Sequence, residues 1–224
     1  MRVRFFRNET AQHFARILQQ IGEGTFPTDS NGEISFTDDF CTQVKTVQEL
    51  INKIYTGIAE NYKNNYWLCE RAILAAKNDA VHELNSRIQE MIPGPVTEYR
   101  SIDTVVDSDD AVNYPIEFLN SLDPPGMPPH RLQLKIGSVI ILLRNLDPPK
   151  LCNGTRLSVK RLLTNIIEAT ILTGKEKGQD VFIPRIPLVP TDMPFSFKRL
   201  QFPVRLAFAI TVNKGSQSGV AVLT

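Results

Sequence analysis

The octapeptide Ala72-Ile-Leu-Ala-Ala-Lys-Asn-Asp79 carries the strongest fold signal in this sequence. Its five consecutive apolar residues are typical of a short strand buried on both faces, and Asn78 and Asp79 are potential N-caps. A following helix is predicted by apolar residues at the spacing of one helical face: Val81, Leu84, Ile88 and Met91. A short buried strand that feeds a capped helix indicates a βα unit of a parallel α/β sheet.

Two further helices are predicted upstream of this unit. From Thr10 to Ile21 the apolar residues follow one helical face, and Gly22 and Gly24 end the pattern. Thr46-Val-Gln-Glu49 matches a capping box. The helix that it opens is predicted by a shared apolar stripe: Val47, Leu50, Ile51, Ile54 and Ile58.

The pattern changes after Pro93. Prolines and glycines cluster at 93–95 and 123–129. Strand-like segments then follow: Leu132–Lys135, Val139–Arg144, Arg156–Leu163, Ile166–Leu172 and Val181–Ile186. Asn153-Gly154 and the segment 174–178 are turn signals. Short strands at this density favour a small β-barrel, and the apolar run 203–210 indicates one more buried strand. The predicted architecture is an α/β domain interrupted by a β-rich insert.

The charge distribution leaves two interpretations open. The chain has 224 residues, 42% of them apolar, and a formal net charge of +1. Residues 96–125 contain seven acidic side chains and one basic, whereas 131–161 contain seven basic and one acidic. The two runs are either balanced solvated faces or a basic segment that attracts a polyanion. Three scattered cysteines indicate a reducing compartment, and they offer no paired spacing for zinc. No apolar run is long enough to span a membrane.

A resemblance to a known family lies in six long segments of the sequence: NYKNNYWLCERAILAAKN (61–78), EMIPGPVTEYRSIDTVV (90–106), AVNYPIEFLNSL (111–122), GMPPHRLQLKIGSVIILLRNLDPPKLCNGTRL (126–157), EATILTGKEKGQDVFIPRIPL (168–188) and FKRLQFPVRLAFAITVNK (197–214). In this order they resemble the C-terminal half of the Pif1-like ATP-dependent DNA helicases, a group that includes the Helitron-transposon helicases.

The resemblance implies a second RecA-like α/β domain that carries a small SH3-like β-barrel as an insert. The implied division is a first RecA-like part at 1–125, a barrel at 126–195 and a truncated return to the RecA-like domain at 196–224. It also implies 5′ to 3′ movement on single-stranded DNA, with ATP and Mg²⁺ as cofactors of the complete protein. The partners would be single-stranded DNA and a first RecA-like domain, with no membrane.

The ATP site is expected to lie mostly outside this chain. The 224 residues contain no G-x-x-x-x-G-K-[ST] phosphate loop, and Lys214-Gly215-Ser216 lacks the preceding glycine-rich turn. The acidic triplet Asp107, Asp109 and Asp110 has no supporting ligands, which favours a solvated loop over a metal site. The arginine that completes the ATP site in the family would lie beyond Thr224. We therefore expect no cofactor, no metal and no ATP hydrolysis for this chain alone.

One candidate site follows from a family motif that reads approximately T-x-N-K-x-Q-G-Q-[ST]. Thr211-Val-Asn213-Lys214 fits it, and the match then slips by one residue before Gln217. The resemblance implies that Thr211 and Lys214 contact DNA phosphates and that Gln217 senses the nucleotide state. The alternative is an ordinary exposed turn.

A second candidate site is the strand-to-helix junction at Lys77 and Asn78. Open α/β sheets bind ligands at the carboxyl ends of their strands, so both residues are predicted DNA contacts. The alternative is that Asn78 only caps the helix; the family usually has proline where this chain has Ala76. Basic residues of the barrel segment form a third candidate: Lys135, Arg144, Lys150, Arg156, Lys160 and Arg161. Arg144 and Arg156 are the two predicted DNA contacts among them.

Three functional hypotheses remain at this point. The first is part of a nuclear helicase of repair, recombination or replication type, or of a transposon relative. The second is a non-catalytic module that binds single-stranded DNA, with Trp67 either stacking on bases or, as its position before the strand favours, packing in the core. The third is a decayed transposon copy, which the irregular motif near Gly215 favours.

Overall fold

The computed structural model describes residues 9–36, 41–106, 113–191 and 193–211. The chain divides into two compact units, Met1–Leu50 and Ile51–Thr224. The helices are α1 Glu9–Gly22, α2 Val47–Ile54, α3 Ile58–Asn61, α4 Asn65–Cys69, α5 Asn78–Glu90 and α6 Ile116–Ser121. Within the described ranges, none of them combines the length and apolar character that a membrane span requires.

The two helices predicted at the start of the chain are confirmed, with one boundary moved. The Glu49 N–H donates to the Thr46 hydroxyl at 3.1 Å, and the Glu49 carboxylate accepts from the Lys45 N–H at 3.0 Å. The capping box thus forms, although its carboxylate reaches one residue further back than the usual pattern. The helix ends at Ile54 and does not continue to Ile58, because Gly57 adopts the left-handed conformation at φ 70°.

Twelve strands form four sheets in the described residues. The strands are β1 Ile73–Ala75, β2 Thr97–Arg100, β3 Ile102–Val105, β4 Arg131–Leu134, β5 Val139–Leu142, β6 Arg156–Leu162, β7 Ile166–Ile171, β8 Asp180–Pro184, β9 Ile186–Leu188, β10 Phe197–Gln201, β11 Val204–Leu206 and β12 Ala209–Thr211. The sheet orders are β1-β12, β2-β4, β3-β10-β9 and β11-β5-β6-β7-β8.

The predicted βα unit is present. Strand β1 pairs in parallel with β12, so that Ala75 lies opposite Thr211. Helix α5 is tied to β12 through Asn85, whose side-chain amide exchanges two 2.9 Å hydrogen bonds with the backbone of Ala209. The prediction that Asn78 caps this helix is wrong. Lys77 occupies the N-cap position with an extended backbone, Asn78 is already helical, and no side chain caps the helix.

The β-rich region after Pro93 is also present, with a different strand division. Strands β5 to β8 form an antiparallel meander, and its hairpin loops contain the predicted turns at Gly154 and Gly178, both with positive φ. The predicted single strand over 203–210 is instead two strands, β11 and β12, which join different sheets. Because β11 pairs with β5, the antiparallel sheet takes one edge strand from beyond residue 195. Barrel closure, the RecA-like assignment and the three-part domain division stay predictions.

The core of this region is a cluster of buried apolar side chains that occupy alternate positions of the strands and therefore lie on one face of each strand. It includes Tyr99, Leu134, Ile140, Leu142, Leu157, Ile167, Ile183, Phe202 and Val204. Tyr99 and Phe202 meet edge to face with ring centroids 4.9 Å apart. Since these residues come from β2, β4, β5 to β8, the β10–β11 connection and β11, the insert and the chain that follows it share one core.

Candidate nucleic-acid interface

A cleft of about 730 Å³ opens beside the carboxyl end of the β1–β12 pair. One wall is α5, and the other is the segment 123–133 together with β5 and β11. Its polar lining consists of Asn78, Asp79, His82, Asn85, Ser86, Gln89, Asp123, Arg131, Gln133, Arg205 and Thr211. Its apolar lining includes Leu132, Ile141, Leu206 and Ile210. The cleft therefore combines polar donors with an apolar floor, as ligand sites commonly do.

The parallel register brings two of the predicted DNA contacts into this cleft. Ala75 lies opposite Thr211, so the chain leaving β1 towards Asn78 runs beside the end of β12. Asn78 is exposed, Thr211 is half-buried, and both line the cleft. Lys77 is exposed next to Asn78 but does not line it. Lys214 and Gln217 lie outside the described residues. The predicted DNA contacts of Lys77, Asn78, Thr211 and Lys214 and the predicted nucleotide sensing by Gln217 all stay predictions.

Arg131 is one of two guanidinium groups in the cleft. Its side chain is 61% exposed and is paired with Glu98 at 2.7 Å. Glu98 also accepts from Gln133 at 3.0 Å and from Arg100 at 2.9 Å. These hydrogen bonds, with that from Arg131 the strongest, lower the pKa of Glu98 to about 2. Arg131 thus stands at the surface beside a carboxylate that stays ionised at neutral pH.

Arg205 is the second guanidinium group, and each of its three nitrogens has a partner. Nε donates to the Met127 carbonyl at 2.6 Å, and Nη2 forms an ion pair with Asp123. Nη1 lies 3.2 Å from Nε2 of His82. The same Nε2 lies 3.8 Å from Asp123 Oδ2, so the imidazole is close to both members of the Arg205–Asp123 pair. The side chain of Arg205 is 20% exposed and that of Asp123 is 52% exposed, so their contact faces solvent in the cleft.

Three arginines hold the proline-rich segment 122–129 through its carbonyl groups. Arg205 binds Met127, and Arg144 donates to Gly126 at 3.0 Å. Arg199 donates to Leu122 and Pro128, both at 3.1 Å. Since four of the eight residues in this segment are prolines, which have no backbone N–H, it is fixed mainly by donors from outside. The position of the cleft wall, including Asp123, follows from these contacts.

Arg199 is anchored by a buried ion pair. Arg199 and Asp103 have fully buried side chains and are joined by hydrogen bonds of 2.6 to 3.1 Å. Asp103 also accepts from the Ser101 hydroxyl at 2.7 Å, so Ser101 accepts in turn from Nδ1 of His130 at 2.8 Å. Burial is the main cause that lowers the pKa of His130. The residue types match a hydrolase triad, but the serine proton points to the carboxylate, so this serine is not activated by histidine.

Arg156 does not belong to the surface at all. It is 2% exposed, and its Nη2 donates to the carbonyl of Arg71 at 2.8 Å. Its Nε and Nη1 have no hydrogen-bond partner in the part of the chain that the structure describes. Burial lowers the pKa of its guanidinium. Sequence reasoning read this position as exposed because a basic residue at the start of a strand usually faces water.

The other basic residues of the insert are dispersed. Lys135 is buried and donates to the carbonyl of Ile92 at 2.6 Å, beyond the C-terminal end of α5. Lys160 and Arg161 both pair with Glu168, and Lys160 also pairs with Asp180. Arg144 is half-buried against the Gly126 and Leu143 carbonyls. The basic run in the sequence therefore does not fold into one basic face, which favours the balanced-charge interpretation for most of it.

Trp67 is half-buried and packs against other side chains. Its ring meets Tyr55 edge to face with centroids 6.0 Å apart, and the guanidinium of Arg71 lies 4.4 Å from its ring centre. These contacts agree with the packing role that the sequence favoured.

The sequence reasoning missed Arg205, Asp123 and His82 as site residues. One signal was available for Arg205, because it is the single charge inside the apolar run 203–210. No local pattern links residues 82, 123 and 205. As for metals, the described ranges contain no group of acidic, histidine or cysteine side chains suited to binding an ion, and the triplet at 107, 109 and 110 lies outside them.

Residues 117–162 match the family model of the 2B domain of DNA helicase Pif1. Over this segment the chain is similar to Pif1 helicases. The Candida albicans Pif1 helicase has the same fold over 97% of this chain and 48% of its own, with a TM-score of 0.62 and 20% identity. Bacteroides Pif1 bound to single-stranded DNA matches over 94% of this chain and 42% of its own, with a TM-score of 0.54 and 17% identity.

A third match is Bacteroides Pif1 in complex with ADP-AlF3 and single-stranded DNA, with a TM-score of 0.54 and 18% identity over 94% of this chain and 42% of that one. The chain thus spans about half the length, or less, of these helicases. At such identities the structural likeness establishes the fold. The comparison with curated proteins gives no match.

Proposed function

We propose that this chain forms the second RecA-like domain and the 2B insert of an ATP-dependent DNA helicase that moves 5′ to 3′ along single-stranded DNA. The proposal draws on the Pif1 2B match at 117–162 and on the shared fold. ATP and Mg²⁺ would be held mainly by a first RecA-like domain. Because the 224 residues contain no phosphate-loop motif, we expect the chain alone not to hydrolyse ATP.

The observation that carries the proposal is the cleft that brings Asn78 and Thr211 together with Arg131 and Arg205. A side-chain amide, a hydroxyl and two guanidinium groups are donors suited to phosphate oxygens. The apolar floor offers a surface for a base without selecting one. Contacts of this kind bind a strand irrespective of its sequence, which a translocating enzyme requires.

In this proposal each residue of the cleft has a separate role. Arg131, which is 61% exposed, would offer a phosphate the guanidinium donors that its pair with Glu98 does not use. Thr211 is the last residue of β12, and Asn78 begins α5 just after the end of β1, so a movement of this end of the strand pair would move both contacts together. ATP, when bound in the complete protein, would supply the energy for domain closure. Bacteroides Pif1 bound to ADP-AlF3 and single-stranded DNA is the relative that supports this part.

The test is a fluorescence-anisotropy titration of labelled single-stranded DNA with the purified chain at two salt concentrations. We expect Arg131→Ala to weaken binding and to reduce the salt slope by about one. Arg87→Ala is the matched control, because Arg87 lies on α5, is exposed and does not line the cleft. Equal affinities for Arg131→Ala and wild type, or no binding by folded protein, would contradict the proposal.

A second candidate function is a non-catalytic module that binds single-stranded DNA. It is favoured by the donors that this chain alone contributes to the cleft: Asn78, Arg131, Arg205 and Thr211. The two functions separate when the chain is joined to a first RecA-like domain: a helicase then gains DNA-stimulated ATP hydrolysis, and a module does not. A nuclear location is part of the helicase proposal, and cell fractionation with an antibody to the chain would test it.

A further inference from the structure

The guanidinium of Arg205 in the cleft already has bonding partners within the protein. Asp123 takes its Nη2, His82 faces its Nη1 at 3.2 Å, and the Met127 carbonyl takes its Nε. Met127 and Asp123 both belong to the segment 122–129, which Arg199 holds in place. The guanidinium is therefore positioned by one contact of the segment and neutralised by another.

We propose that Asp123 is an internal competitor of the DNA phosphate for Arg205, and that a bound strand must displace its carboxylate. The proposal rests on the function proposed above. Carboxylate and phosphate oxygens bind the same N–H edge of a guanidinium, and two anions held side by side at Nη2 would repel each other, so they compete for it. The Met127 contact uses Nε alone, so Arg205 can stay in place while its partner is exchanged.

The exposure of the pair makes this exchange feasible. Asp123 is 52% exposed and Arg205 is 20% exposed, and ion pairs open to solvent contribute little. By contrast, the Arg199–Asp103 pair is fully buried and cannot reach a strand. Displacing an exposed carboxylate would reduce DNA affinity by about three- to fivefold relative to an unoccupied Arg205. Asp123 would thereby limit how tightly the strand is held, which benefits an enzyme that must release each phosphate.

The test is the affinity of Asp123→Asn for a labelled oligothymidylate, measured by anisotropy with the full chain. Asparagine keeps the size of the side chain and removes its charge. We expect binding about three- to fivefold tighter than wild type. Glu83→Gln is the matched control: it also removes one negative charge, from an exposed i, i+4 pair on α5 outside the cleft, and its affinity should change by less than about twofold.

A double variant separates competition from simple repulsion. In an Arg205→Ala background, with Arg205→Gln as a second choice if alanine unfolds the protein, Asp123→Asn should no longer tighten binding, because there is no guanidinium to release. A gain that persists in this background, or no gain from Asp123→Asn in folded protein, overturns the proposal.

These binding measurements also distinguish failure of the proposed DNA binding from failure of the proposed competition by Asp123. If wild type binds, Arg131→Ala weakens binding and Asp123→Asn has no effect, only the competition is refuted. If wild-type protein that is folded by circular dichroism does not bind, or binds as well without Arg131, both are refuted.

Discussion

Replacing Arg199 with methionine should destabilise the protein more than any surface change. Methionine keeps an unbranched chain of similar length and removes the charge. The change leaves the fully buried Asp103 carboxylate with the Ser101 hydroxyl as its remaining hydrogen-bond partner in the described structure. It also removes the donors to the carbonyls of Leu119, Leu122 and Pro128.

The magnitude follows from the burial of both partners. Removing one partner of a buried ion pair costs about 3–5 kcal/mol, because the other charge stays buried without compensation. Each buried carbonyl left without a donor costs about 1–3 kcal/mol unless water reaches it. We therefore expect the free energy of unfolding to fall by at least about 4 kcal/mol. That is a large part of the about 5–15 kcal/mol that a folded domain has in total.

The assay is urea unfolding at neutral pH, followed by the fluorescence of Trp67, the single tryptophan of the chain. With an m-value of about 2 kcal/mol/M, the midpoint should fall by about 2 M. Arg87→Met is the control, since its exposed pair with Glu83 should contribute under about 0.5 kcal/mol.

Two outcomes decide the reasoning. A double variant with Asp103→Asn should recover part of the loss, because it removes the uncompensated charge. If Arg199→Met unfolds at the same urea concentration as Arg87→Met, the buried pair does not hold the segment 122–129 and the argument is wrong.

Two further predictions concern stability. The lowered pKa of Glu98, about 2, means that its ion pairs stabilise the fold fully above its ordinary value of 4.5 and lose that contribution as the pH falls towards 2. Urea midpoints at pH 6 and pH 3 should therefore differ more for wild type than for Glu98→Gln. Equal differences in the two proteins would show that the ion pairs of Glu98 do not cause the pH dependence. Gly137→Ala should cost at least about 2 kcal/mol, since Gly137 has φ 85° and an added Cβ would lie 2.6 Å from the Tyr62 carbonyl oxygen. Gly94→Ala, also at positive φ but with open space around it, is the control in the same thermal unfolding assay and should cost less.

Patterns confined to neighbouring residues were sufficient to predict most elements. The apolar run at 72–76 and the periodicity from Val81 to Met91 correspond to β1 and α5. The turns at Gly154 and Gly178 also lie where the sequence indicated. The predicted end of a helix was wrong where an apolar stripe and a glycine turn signal overlapped. The helix after Thr46 ends early because Gly57 interrupts an apolar stripe that otherwise continues to Ile58.

Local sequence patterns were enough to predict the first βα unit and the short strands after Pro93, because strand, helix and turn preferences act over a few residues. The tertiary structure alone decided which charges face water. Arg156 and Arg199 are basic residues in strands, as Arg205 is, yet the first two are buried and Arg205 lines a cleft. Their difference depends on partners 50 to 100 residues away, such as Asp103 for Arg199 and Asp123 for Arg205. No local sequence pattern shows which distant residues become partners. His82, Asp123 and Arg205 are brought together only by the packing of the sheets.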